Sequence, residues 1–151
     1  VIALVIFIFW VFNLKNIWKK PKIQERVGIT NTPIVMAIKS FVVTNYEVGM
    51  GYKNTATWNG KNILIQGHLV CNSADGYRFI VYGLHPSSPV PEPVYIEANK
   101  VGAIFIPFTE LHNYVDLVRN EKPINVYLNS SSPNWNSLRT SAEPVGEQEG
   151  I

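Results

Sequence analysis

An unbroken apolar run from Val1 to Phe12 restricts this chain more than any other feature. Asn13, Lys15 and Asn16 then appear among further apolar residues up to Trp18. A helix needs about 20 mostly apolar residues to cross the hydrocarbon core of a bilayer. Residues 1–18 come close to that length and are expected to form a transmembrane anchor. The expected anchor is incomplete at its N-terminal end, because the sequence opens on Val1 instead of Met. Trp18 suits the headgroup level, and Lys19, Lys20 and Lys22 follow it at once. Trp18, Lys19, Lys20 and Lys22 are therefore the candidate membrane-interface residues. Lys15 can reach the same level by snorkelling.

Three other readings of this run compete. A cleavable signal peptide needs a small-residue cleavage site, which is missing between Phe12 and Arg26. A buried core helix needs a polar face at helical spacing, which residues 1–12 lack. A processed pilin-like subunit explains the missing Met, but the lysine cluster cuts its apolar stretch short. Orientation follows from charge. Lys15, Lys19, Lys20, Lys22 and Arg26 stand against Glu25 alone, which favours the cytoplasmic, stromal or matrix side for the domain that follows.

Residues 19–30 read as a basic juxtamembrane linker, 31–128 as one β-rich α+β domain, and 129–151 as an irregular polar and acidic tail. The expected fold class is thus α+β: an anchor helix followed by a small mixed β-sheet domain with one amphipathic helix. The formal net charge of +2 comes from the linker, and the remaining Lys and Arg are scattered through different elements. A nucleic-acid-binding domain would carry a basic stripe, so no nucleic-acid partner is expected. The bilayer and other membrane-complex subunits are the expected partners.

Within the domain, Asn59-Gly60 between two strand-like runs is the strongest short-range signal for a β-hairpin. The strand after it alternates Ile63, Ile65, Gly67, Leu69 and Cys71 against Leu64, Gln66, His68 and Val70. Residues 77–84 complete an antiparallel meander. Residues 34–43 are rich in β-branched side chains and read as a strand, although Thr32-Pro33 also suits a helix start. The proline-rich segment 85–93 must be an extended connection, and residues 94–97 an edge strand. Residues 101–106 read as a strand buried on both faces. Thr109 is the expected cap of a helix with Leu111, Tyr114, Val115 and Val118 on one face. Asn120 and Pro123 stop it, and 124–128 is a further strand. This order permits a parallel right-handed crossover.

Chemistry is sparse. On a regular strand His68 and Cys71 point to opposite faces, and His85 and His112 match no metal-ligand spacing. No metal or cofactor is expected. Cys71 reads as a small buried hydrophobe, and no nucleophile elbow or phosphate loop is present. Aromatic and proline residues remain, and Trp58, Pro89, Pro91 and Trp135 are the candidate partner contacts. The leading expectation is a non-catalytic, membrane-anchored accessory subunit of a larger membrane complex. One alternative is a tethered ligand- or glycan-binding module using a sheet face near Trp58, Tyr77 and Tyr82. The other is a pilin-like filament subunit.

Overall fold

The computed structural model describes residues 37–141. The expected anchor, the basic linker with Trp18, Lys19, Lys20 and Lys22, and residues 142–151 lie outside this span. No helix among the described residues is long and apolar enough to cross a membrane. The fold is mixed α+β, mostly strands in two sheets, with one α-helix among the described residues.

The strands are β1 (Ile38–Val42), β2 (Asn45–Trp58), β3 (Lys61–Asn72), β4 (Arg78–Leu84), β5 (Val94–Ile96), β6 (Val101–Pro107), β7 (Ile124–Asn129) and β8 (Ser137–Thr140), with helix α1 (Leu111–Asn120) between β6 and β7. The larger, five-stranded sheet has the order β2-β3-β4-β6-β5, and the three-stranded sheet has the order β1-β7-β8. Antiparallel β2-β3-β4 is the expected meander. The turn at its tip has φ of 47° at Asn59 and 76° at Gly60, the paired positive values that a two-residue type I′ turn requires. The larger sheet is mixed because β4 and β6 run parallel, with the proline-rich segment and β5 making the connection.

The first core lies between the larger sheet and a cover made of α1 and the three-stranded sheet. Leu69, Cys71, Phe79, Val81, Ile104 and Ile106 supply the sheet side. Leu111, Val115 and Val118 from α1 and Phe41, Val126 and Leu128 from the smaller sheet supply the other. Glycines set the spacing. Gly67 and Gly83 face each other across β3 and β4, and a Cβ on either would sit within 3.3 Å of Phe108 or Leu111. Gly102 similarly makes room for Leu128.

The second core is on the opposite face and includes Ile63, Val70, Ile80, Tyr82, Leu84 and Phe105. It is closed by its own hairpin. Between the pairs Met50–Gly67 and Asn54–Ile65, β2 has residues 51–53 opposite Gln66 alone. At the same level Gln66 is an extra residue of β3 against β4. Bulges bend a strand and raise its twist. Here two coincide, and the hairpin tip folds back over the sheet. The Trp58 ring meets Phe105 of β6 edge-on at 4.7 Å, although β3 and β4 lie between their strands. Leu64 accepts the His85 N–H at 2.9 Å and donates its own N–H to Ser88 Oγ at 2.9 Å, tying the folded arm to the proline-rich segment.

Four expectations change in the folded structure. The alternation along β3 breaks at Gln66, so Ile63 joins Val70 in the second core while Leu69 and Cys71 stay in the first. A single added residue inverts which face each side chain takes. The crossover from β6 through α1 does not return to the same sheet, because β7 pairs antiparallel with β1 and β8. Its pattern explains this: Ile124, Val126 and Leu128 are buried while Asn125, Tyr127 and Asn129 are half-exposed, which suits a sheet with one open face. Thr109 does not cap the helix. It lies inside a 3-10 turn, Phe108–Glu110, that runs straight into α1, and no side chain caps the start. Finally, the segment after Asn129 is ordered as a further 3-10 turn, Pro133–Trp135, and β8. Asn136 is buried between them, accepting the Asn129 N–H at 2.8 Å and donating to the Val94 carbonyl at 2.9 Å. Neither its pairing with β7 nor this staple has a local sequence signature.

Candidate interaction surface

Where the apolar surface remains uncovered is decided by how the chain moves between the two sheets. After β1 the Val43 N–H still bonds to Ile124 of β7, and the next residue, Thr44, already bonds to Asn72 of β3. Among the described residues β1 and β2 are each the outermost strand of their sheet. Residues 38–58 therefore form one continuous edge ribbon shared by both sheets.

That ribbon carries an apolar stripe. Ile38 and Val42 of β1 are 59% and 52% exposed, and Met50 and Tyr52 of β2 are 63% and 89% exposed. Tyr46 and Val48 continue the same alternate positions of β2 and are also exposed. Their partners across the ladder are Cys71 for Tyr46, Leu69 for Val48 and Gly67 for Met50. The β2 part of the stripe is thus the outer margin of the first-core face, whereas Ile38 and Val42 lie on the face of β1 turned away from Phe41 and the first core. Natural edge strands are normally blunted by charges, proline or bulges. β2 has no proline, and its charged residues are Glu47 and Lys53 with the bulge between Met50 and Asn54.

The reverse face of β2 carries Glu47 and Gly49. Gly49 lies opposite His68, and a Cβ there would approach the imidazole Cε1 to 2.3 Å, so the glycine lets the ring lie across the strand. Burial under this contact lowers the His68 pKa from its ordinary 6.5, and the nearby Glu47 carboxylate opposes the shift. Beside β1, Lys39 pairs with Asp75 at 2.7 Å and lies 4.1 Å from the Tyr77 ring centre. Its hydrogen bond, with a second from the Ser73 hydroxyl, lowers the Asp75 pKa to about 2. These are the contacts of an ordinary charged rim.

The aromatic and proline candidates divide. Trp135 is 67% exposed on its 3-10 turn. Trp58 is half-buried against Phe105, so most of its ring belongs to the second core. Pro89 is exposed and Pro91 half-buried. Near them a cleft of about 360 Å³ opens between the proline-rich segment and the 3-10 turn before α1, lined by Leu84, His85, Pro86, Val90 and Phe108 among others. His85 Nδ1 accepts the Ser87 N–H at 3.1 Å, which leaves the proton of the neutral ring on Nε2. Among the described residues of the lining, His85 is the one ionisable side chain. Tyr77 and Tyr82 are both buried, in the first and second cores respectively, so with Trp58 they do not make one open face.

Burial also raises the Cys71 pKa to about 12, which makes it an inert thiol. Among the described residues no group of three His, Cys, Asp or Glu side chains is placed to hold a metal ion. Comparison with protein-family models, curated proteins and solved structures finds no match to this chain.

Sequence reasoning placed the contacts on loop aromatics and prolines and missed the ribbon. The available signal was the alternation of Tyr46, Val48, Met50 and Tyr52 with polar or glycine residues, which marks a strand with one apolar face.

Proposed function

We propose that this protein is a non-catalytic, membrane-anchored accessory subunit that works through protein–protein contacts. The observation that carries the reading is the exposed apolar side chains along the edge ribbon, Ile38 and Val42 on β1 and Tyr46, Val48, Met50 and Tyr52 on β2. Exposed apolar side chains gathered along one edge suit an interaction site, and a strand edge that is unpaired among the described residues adds backbone donors and acceptors to it. The anchor is read from the sequence: the apolar residues 1–18 with Lys19, Lys20 and Lys22 behind them support a domain held at a membrane surface, with charge favouring its cytoplasmic, stromal or matrix side. Ile38 and Val42 face outward from the smaller sheet and offer a second membrane subunit an apolar seat next to the β2 edge.

The test is purification of the full chain in mild detergent through a C-terminal tag, with native electrophoresis and mass spectrometry of each band. Stoichiometric co-migration with other membrane proteins, lost in the double variant Ile38→Lys, Val42→Lys, is the expected result. A chain that carries no other membrane protein with it refutes the accessory role.

A further inference from the structure

The β2 half of the ribbon has an internal symmetry that names its occupant. About Met50, the strand reads Glu47-Val48-Gly49 on one side and Gly51-Tyr52-Lys53 on the other. We infer that the β2 edge pairs with β2 of a second copy of this chain, antiparallel about a two-fold axis at Met50. The inference rests on reading the ribbon as a docking surface and deepens it by identifying one partner.

In this register Glu47 lies opposite the second copy's Lys53, Val48 opposite its Tyr52, Gly49 opposite its Gly51, and Met50 opposite Met50. Residues facing each other across antiparallel strands share a face of the sheet, so apolar side chains meet on one face and the opposite charges meet on the other. Each charged contact forms twice, once on each side of the axis. Shifting the register by two residues puts Glu47 opposite Gly51 or Thr55, and a parallel pair in register puts Glu47 beside Glu47. Like charges side by side on adjacent strands are destabilising.

The bulge supports a short contact. Residues 51–53 face Gln66 alone across the ladder, which keeps the pairing short, and the outward-pointing backbone groups of an edge strand are open to an outside strand. A two-fold contact uses the same segment of both copies and closes on itself, so it does not propagate a fibre. Ile38 and Val42 remain open for other subunits.

The test is site-directed disulfide formation in the full chain, in membranes or mild detergent under a mild oxidant. Cys71 is buried with a raised pKa, so the native chain serves as the uncross-linked control. Met50 is 63% exposed, and Met50→Cys puts one thiol at the axis without disturbing a core. Cα atoms facing each other across antiparallel strands are about 4.5–5.5 Å apart, within disulfide reach. Met50→Cys should therefore form a covalent dimer, whereas Val48→Cys or Tyr52→Cys alone should not. Adding Glu47→Lys to Met50→Cys should cut the dimer yield about fivefold, because two charge pairs are lost per dimer, and adding Lys53→Glu as well should restore it. No dimer from Met50→Cys, equal yields from positions 48, 50 and 52, or an unrestored charge swap would each overturn the assignment. The readout is a disulfide between identical chains, so its failure is separable from absent co-migration with other proteins.

Discussion

Replacing Gly102 with alanine tests how closely the two sheets pack. Gly102 is buried on β6, and an added Cβ would lie 2.4 Å from Leu128 Cδ2 and 3.1 Å from its Cδ1. Ordinary carbon contacts begin near 3.5 Å, so the overlap is about an ångström. Leu128 is 0% exposed, so any shift of its side chain must be taken up inside the first core. Overpacking of this kind costs about 1–3 kcal/mol. Alanine also restricts the unfolded chain, which returns about 0.4–1 kcal/mol at a backbone conformation it can adopt. The net loss should be about 1–2 kcal/mol. Urea unfolding of the detergent-solubilised full chain, followed by near-UV circular dichroism, reads this directly. A double-mutant cycle then assigns the cause. Leu128→Ala alone should cost about 2–5 kcal/mol. Combined with Gly102→Ala it should cost less than the sum of the two by at least about 1 kcal/mol, since the new methyl enters the space that Leu128 leaves. A neutral or stabilising Gly102→Ala, or additive effects, would refute the close approach of β6 and β7.

Three further outcomes are expected. Asn136→Ala should destabilise the fold by about 2 kcal/mol, because it leaves the Asn129 N–H and the Val94 carbonyl without their partner in a buried site; the same urea series measures it. Trp58→Ala should cost about 2–3 kcal/mol by opening the second core beside Phe105, and Trp58→Phe should recover most of that. His68 has a folded-state pKa below its ordinary 6.5, so the unfolded chain takes up the proton first as pH falls. Stability should therefore decline as pH drops through 6.5 and level off below the folded pKa, and His68→Gln should remove this part of the pH dependence.

What could be read from the sequence was what neighbouring residues decide. Asn59-Gly60 gave the hairpin because only a few residue pairs accept two successive positive φ values. The face of α1 followed from the spacing of Leu111, Val115 and Val118. What failed depended on distant partners. The bulge at Gln66 is visible only against β4, and it moves Ile63 to the other core without altering any local pattern. β7 has the composition of a strand in either sheet, and its choice of β1 over β6 rests on contacts made far along the chain. Trp58 looked like a loop aromatic because nothing beside it reveals that the hairpin folds back onto Phe105. The ribbon was missed for a related reason. Its apolar residues are ordinary for a strand, and the exposure of those on β2 follows from where the cover of the first core ends.

The folded hairpin also sets the order in which the chain can complete itself. Every buried residue of the second core lies between Ile63 and Phe105, so a chain emerging from the ribosome holds that whole set once β6 is out. The first core joins Phe41 to Leu128, near opposite ends of the described span, and must wait for α1 and β7. Contacts that close long loops form late. Until then the other face of β3, β4 and β6 has no cover, and the apolar side of β2 is more exposed than in the finished fold. An early pairing of two β2 edges would shelter that margin during synthesis, when the chain is most vulnerable to aggregation.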